Sequence, residues 1–211
     1  VFNPKHLQKE GTIDTGGHKS TEQMVQYGKY VFTNCWSYDN VILVIDIDTD
    51  SVIDEIEVGK QPTSLVIDKN GKIWTITDGG YRGSAYDWEP SSLYRIDAVT
   101  RRVEMELTLG LEEHGSQVCI NRAGDEVYFI SKSIWRMSVD DDRLPATPFI
   151  ESPTDRPAIF FGLAVNPLNS EVYVADAIDY QQSGMIYRYS ADGNLLDSFK
   201  AGINPRSFCF R

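Results

Sequence analysis

Ser64-Leu-Val-Ile-Asp-Lys-Asn-Gly-Lys-Ile-Trp74 spells a strand, a tight turn and a second strand, and the chain repeats that phrase. It returns as Glu22-Gln-Met-Val-Gln-Tyr-Gly-Lys-Tyr-Val-Phe32, as Ser116-Gln-Val-Cys-Ile-Asn-Arg-Ala-Gly-Asp-Glu-Val-Tyr128 and as Gly162-Leu-Ala-Val-Asn-Pro-Leu-Asn-Ser-Glu-Val-Tyr173. Apolar residues alternate with period two on both sides of each turn, the signature of strands and not of helices. Asn-Gly and its relatives reach the positive φ that tight hairpins need. Starts near residues 22, 64, 116 and 162 give a period of about 40 to 50 residues, the spacing of propeller blades.

Each unit extends outward from its hairpin. After strands A (Ser64 to Asp68) and B (Lys72 to Thr77), a long connection leads to strand C at Leu93-Tyr-Arg-Ile-Asp97, and the turn Ala98-Val-Thr-Arg101 leads to strand D from Val103 to Leu109. The other C and D strands are Val41 to Asp46 with Val52 to Val58, Ile134 to Val139 with Thr147 to Glu151, and Met185 to Ser190 with Leu195 to Lys200. The pattern predicts an all-β propeller of four-stranded antiparallel blades, forming one domain over residues 1–211. A partial blade covers 1–17, complete blades cover approximately 19–60, 61–113, 114–153 and 160–203, and a closing strand A covers 205–211. Residues Val1 to Ile13 match only the C-turn-D half of a blade, and Pro205 to Arg211 match a lone strand A. The expected architecture is therefore the C-terminal part of a longer propeller, with roughly two to three blades lying outside the sequence shown, and a five-bladed ring carrying an incomplete first blade is the alternative.

In such a meander the A-B and C-D turns share one face, while the B-C loops and the D-to-A links share the other. The first set is short: Tyr27-Gly-Lys29, Lys69-Asn-Gly71, Arg122-Ala-Gly124 and Asp192-Gly-Asn194. The B-C loops are longer and aromatic: Cys35-Trp-Ser-Tyr-Asp-Asn40, Asp78-Gly-Gly-Tyr-Arg-Gly-Ser-Ala-Tyr-Asp-Trp-Glu-Pro90 and Asp176-Ala-Ile-Asp-Tyr-Gln-Gln-Ser-Gly184. Links on that face carry His18, Lys19, His114, Arg156 and the stretch Gly202 to Arg206. Trp36, Tyr38, Tyr81, Tyr86, Trp88 and Tyr180 thus crowd one rim, where large area with polar tips suits a ligand or a partner. Packing of these rings on one another as blade caps is the competing explanation. Gln181, Gln182, His18, Lys19, His114 and Arg156 supply polar contacts to the same candidate binding rim.

The blade pattern also accounts for the remaining motifs. Asp46-Ile-Asp-Thr-Asp-Ser-Val-Ile-Asp-Glu-Ile-Glu57 has acids at positions one, three, five, nine and twelve of a calcium loop. Ser51 stands where the sharp turn calls for Gly, and the segment aligns with other C-D hairpins, so it is expected to be a hairpin with solvated acids. Three histidines, with His6 on the opposite face, cannot form a three-histidine zinc site. No nucleophile elbow, zinc-protease helix or phosphate-cradling loop occurs, so no catalytic residue, metal ligand or cofactor is assigned. Asp78 and Asp176, at equivalent ends of two B strands, are candidates for site acids, and capping of the loop turns explains them equally well. The three cysteines form no C-x-x-C pair, and Cys119 and Cys209 fall where small buried hydrophobes are expected. A net charge of −11 without a basic stripe argues against nucleic acid, and no apolar run is long enough to be a membrane-spanning helix.

The phrases Gln61-Pro-Thr-Ser-Leu-Val-Ile-Asp68, Trp74-Thr-Ile-Thr-Asp-Gly-Gly-Tyr81, Ser92-Leu-Tyr-Arg-Ile-Asp97 and Tyr173-Val-Ala-Asp-Ala-Ile-Asp-Tyr180 resemble the YncE-like seven-bladed propellers of gut Bacteroidetes, surface-layer or cell-surface proteins. Nearly the whole chain shares in the resemblance, which is closest to the branch containing the BtuG-type cobalamin-binding lipoproteins. It implies a seven-bladed ring, export to the outer face of the outer membrane or else to the periplasm, and lipid anchoring at a cysteine upstream of Val1. It also implies capture of a corrinoid for delivery to an outer-membrane transporter, a task that asks no chemistry of the protein. Two other functions are weighed against it. One is a non-enzymatic interaction platform gripping another surface protein, and the other a propeller lyase or lactonase using His18, His114 and the strand-end acids around a metal.

Overall fold

A computed structural model describes residues 1–111, 113–153 and 158–210. Among the described residues no helix is long and apolar enough to cross a membrane. A short antiparallel hairpin of β1 (Phe2–Asn3) and β2 (Gln8–Lys9) precedes the first complete blade. Blade 1 is β3 (Thr21–Tyr27), β4 (Tyr30–Cys35), β5 (Val41–Asp46) and β6 (Ser51–Glu57). Blade 2 is β7 (Pro62–Ile67), β8 (Lys72–Thr77), β9 (Ser92–Asp97) and β10 (Arg102–Thr108). Blade 3 contains β11 (Gly115–Ile120), β12 (Glu126–Ser131) and β13 (Ser133–Ser138). Blade 4 is β14 (Phe160–Val165), β15 (Val172–Asp176), β16 (Ser183–Tyr189) and β17 (Leu195–Ile203). Every sheet joins sequential neighbours in antiparallel order, which defines a meander. The fold is an all-β propeller.

Period-two alternation explains the packing. In β8, Ile73 faces blade 1 and joins Phe32, Ile42 and Val44 in one core, whereas Trp74 and Ile76 face blade 3 and join Val127 and Phe129 in the next. In β12 the same division sends Phe129 toward blade 2 and Tyr128 and Ile130 toward Val172 and Val174 of blade 4. Each B strand is therefore buried on both faces, and the core is a series of sandwiches between blades. Trp74 is fully buried, and its indole N–H donates to Asp68 Oδ2 at 2.9 Å, so the polar edge of the ring is satisfied.

Two expected strands do not form among the described residues. Residues 147–151 do not complete blade 3; only an isolated bridge from Ile150 to Ile134 remains. Pro148, within the segment, lacks the N–H that a ladder needs, so the segment cannot pair continuously. Residues 205–210 have no ladder pairing among the described residues, although they run beside blade 4. A Cβ on Gly162 would lie 2.1 Å from the Arg206 carbonyl, and Phe208 and Phe210 lie against Tyr173 at 5.8 and 5.2 Å. One side of that segment is open, and Cys209 is exposed where a buried position was expected; Cys119 is half-buried against the core between blades 3 and 4.

The calcium-loop look-alike is the β5–β6 hairpin, and its acids have separate partners. Asp46 pairs with Lys29 at 2.9 Å, Asp54 with Arg101 at 3.4 Å, and Glu57 accepts from Asn40 at 3.3 Å. The equivalent turn of blade 2 yields a test. Asp97 Oδ1 accepts the N–H groups of Val99 and Thr100, while Oδ2 meets Lys72, whose ammonium holds the carboxyl down to about 2. A folded pKa below the unfolded value of about 3.9 stabilises above that pH and is lost as pH falls toward 2. Asp97→Asn keeps the turn acceptor but removes the charge. It is expected to cost about 1 kcal/mol at pH 7 and to flatten stability loss between pH 4 and 2, read from urea midpoints across that range.

Candidate functional site

The turns sort onto the two faces as the meander requires. On one face Lys69 N donates to Gly124 O at 2.9 Å, joining the A-B turns of blades 2 and 3. On the other, Trp36 Nε1 donates to Asp78 Oδ2 at 2.9 Å, joining the B-C loops of blades 1 and 2. A cavity of about 690 Å³ opens on this second face, within the range of small-molecule sites. Its wall is aromatic and aliphatic: Trp36, Tyr81, Phe160, Phe161 and Tyr180, with Ile130 and Ile159. Asp78, His114, Gln117, Lys132 and Arg206 supply the polar groups.

The inner strands place these side chains by a shared irregularity. Each A strand breaks register against its B strand at the cavity end: between Thr21 and Met24, Pro62 and Ser64, Gly115 and Val118, and Phe160 and Gly162. One extra residue per strand is a β-bulge, which re-aims the side chains around it. Thr63, Ser116, Gln117 and Phe161 lie in these bulges and line the cavity. Thr63 Oγ1 donates to the Ser116 carbonyl at 2.7 Å, and Val118 N donates to Ser64 Oγ at 2.7 Å, so neighbouring bulges hold each other.

The β8–β9 loop is shaped by glycine. Gly79 and Gly80 adopt φ of +81° and +76°, Glu89 N donates to Gly79 O at 2.9 Å, and Gly80 forms a bridge with Trp88. Asp78 caps the turn through Oδ1, which accepts Gly80 N at 2.8 Å. Burial raises its carboxyl above the ordinary value, while Gly80 N–H, Trp36 and the His114 charge act in the opposite direction. Asp176, fully buried, caps likewise: its Oδ1 accepts Ile178 N at 2.8 Å and Ile159 N at 2.9 Å. His114 Nδ1 lies 3.3 Å from the Asp78 carbonyl, and Ser91 Oγ donates to that same carbonyl at 2.9 Å.

The predicted rim residues divide. Trp36, Tyr81, Tyr180 and His114 line the cavity, with Tyr180 edge-on to Phe161 at 5.5 Å. Tyr38 and Tyr86 form an edge-to-face pair at 6.0 Å outside it. Tyr86, with Lys60 over its ring at 5.3 Å, borders a separate hollow of about 430 Å³ with Glu89 and Tyr94. Trp88 lies under the Arg82 guanidinium at 3.9 Å and is half-buried in its own loop. Gln181 and Gln182 are exposed and their N–H groups cap Asp179. Lys19 is exposed beside His18. Arg156 lies outside the described residues. His18 joins a different group altogether: its Nδ1 is 2.7 Å from Asp39 Oδ2, its Nε2 is 3.4 Å from Glu55 Oε1, and the buried Cys35 thiol is close by. The side-chain bond to Asp39 raises the imidazole pKa, and burial, then Asp39 and Glu55, push the Cys35 thiol up to about 12.

Phe160, Phe161, Lys132 and Arg206 were not among the candidates. Arg206 stands in a link already assigned to this face; its guanidinium lies 5.3 Å from the Phe161 ring and 3.7 Å from Glu22 of β3. Lys132 occupies the one-residue B-C turn of blade 3 with φ of +58°. Strict alternation hides Phe161, because only the bulge turns it to the cavity.

Fold and site together define a propeller with an aromatic-walled cavity at the B-C face. The chain belongs to the family described as domain of unknown function DUF5074, whose pattern matches residues 1–203. No curated protein matches the sequence. Among solved structures it is similar to a quinonprotein alcohol dehydrogenase-like protein from Bacteroides thetaiotaomicron, at 17% identity and a TM-score of 0.65 over 85% of this chain. It is also similar to the hydrazine synthase of Kuenenia stuttgartiensis, at 16% identity and a TM-score of 0.55 over 84% of this chain. The chain spans 45% of the first and 61% of the second, and at these identities the likeness is one of fold.

Proposed function

We propose that this protein is a non-catalytic ligand-capture propeller of the YncE-like, BtuG-type kind. On this reading it is exposed at the outer face of the outer membrane through an anchor upstream of Val1, and it hands a corrinoid to an outer-membrane transporter. The observation that carries the reading is the cavity at the B-C face, where Trp36, Tyr81, Phe161 and Tyr180 converge from blades 1, 2 and 4. A corrinoid has an apolar macrocycle edge and a fringe of amides. Aromatic walls suit the first, and Gln117, Lys132, His114 and Arg206 offer donors to the second. Tyr38 and Tyr86 extend the contact surface along the rim beyond the cavity.

A binding role is favoured over hydrolysis by how the acids are used. Asp78 and Asp176 are engaged as caps, and His18 does not line the cavity that His114 borders. The second reading, a platform for another surface protein, draws on the exposure of Tyr38, Tyr81 and Tyr180 at 65%, 62% and 48%. Calorimetric titration of the purified protein with cyanocobalamin separates the two. The corrinoid reading expects saturable one-to-one binding in the micromolar range or tighter. No heat of binding, together with co-purification of a surface protein, would replace it by the second reading.

A further inference from the structure

We propose that His18, Cys35 and Asp39 bind one zinc ion, with Glu55 holding the imidazole from behind. Four separate elements bring these groups together: the link before β3, the end of β4, the β4–β5 loop and β6. One ligand atom from each of His18, Cys35 and Asp39 lies within 4.8 Å of the others. Bonds of about 2.0 Å to nitrogen or oxygen and about 2.3 Å to sulfur place tetrahedral donors some 3.3 to 3.5 Å apart. Zinc would therefore widen the present Nδ1 to Oδ2 approach of 2.7 Å by about half an ångström and draw the thiolate inward.

The donor chemistry selects the metal. Thiolate, imidazole and one carboxylate form a mixed soft and borderline set that suits zinc over calcium or magnesium, which take oxygen ligands. The His18 ring has the disposition of a metal-bound imidazole, with a carboxylate at each nitrogen. When Nδ1 carries the ion, Nε2–H donates to Glu55, the outer partner that metal-ligating histidines ordinarily have. Binding releases the Cys35 thiol proton to solvent and leaves a fourth position for water. Cys35 is fully buried, backed by Val41 and Leu43, so its sulfur is held in place on one side while His18 and Asp39 face it on the other. The ion would tie the link at His18 to the loop carrying Trp36 and Tyr38, stiffening one edge of the aromatic rim.

Cobalt substitution tests the site without reference to any ligand of the cavity. The metal-free protein titrated with Co2+ should bind one equivalent with a sulfur-to-cobalt charge-transfer band and the intense visible bands of tetrahedral coordination, and Zn2+ should displace it. Cys35→Ser and His18→Gln should each abolish the charge-transfer band, Cys209→Ser should leave it unchanged, and Glu55→Gln should weaken zinc binding about 10- to 100-fold. His18 lies in a link and Glu55 is half-exposed, so these two variants keep the test valid should Cys35→Ser fail to fold. Absence of stoichiometric binding, or a band that persists in His18→Gln, would overturn the assignment.

Discussion

Trp36→Ala is expected to weaken corrinoid binding about 30-fold or more. A buried aromatic anchor at the centre of a site typically carries 2 kcal/mol or more, and about 1.4 kcal/mol corresponds to a factor of ten. Two losses combine here. The indole leaves the cavity wall, and the Asp78 carboxylate loses its 2.9 Å donor while remaining half-buried. Extending the change to Tyr81→Ala and Tyr180→Ala removes aromatic area contributed by blades 2 and 4, and the triple variant should show no measurable binding at micromolar protein. Leu168→Ala, in the exposed β14–β15 turn on the opposite face, serves as the control and should bind as the wild type does. An unchanged calorimetric affinity in Trp36→Ala would remove the indole from the site.

The second large effect falls on folding. Gly79→Ala is expected to cost about 3 kcal/mol or more, because a positive φ and a backbone collision act at the same residue. A Cβ at Gly79 would stand 2.1 Å from the Glu89 carbonyl oxygen, and that carbonyl belongs to the strand-like return of the same loop. The loop must open to relieve the contact, breaking the Glu89 N–H to Gly79 O bond and shifting Tyr81. Gly83 is the contrast: its φ of +82° is equally left-handed, yet nothing lies within 4 Å of an added Cβ. Gly83→Ala should cost only about 1 kcal/mol of backbone strain. Urea unfolding of the pair measures the difference, and equal losses would show that the close approach at Gly79 carries no weight.

Much of the molecule was legible because its repeat is written in two independent ways. Alternation marks the strands, and Gly or Asn marks the turns, so β5 and β8 fall where the residues place them and the acidic stretch at 46–57 folds as a hairpin. Alternation fails where backbone chemistry interrupts it. Pro148 interrupts the expected fourth strand of blade 3, within a segment, Thr147 to Glu151, whose adjacent Phe149 and Ile150 do not alternate. The four inner-strand bulges are invisible to a period-two reading, because one inserted residue shifts phase without changing composition. Phe161 and Gln117 therefore carry no signal in the sequence, whereas Trp36 and Tyr81 stand out on long loops, and all four line the cavity. Trp88 shows the converse. Its loop position matched its neighbours, and only Arg82 stacked over the ring at 3.9 Å reveals that it is engaged locally. The His18, Cys35 and Asp39 cluster spans about twenty residues and two turns, a spacing that carries no motif.

Whether the cavity on the B-C face receives the ligand is tested by a crystal structure of the protein grown with excess cyanocobalamin. Corrin density is expected against Trp36, Tyr81 and Tyr180, with amides in reach of Gln117, Lys132 or Arg206. A corrinoid bound on the face of the A-B turns, or a saturated crystal in which this cavity holds only water, would contradict that placement.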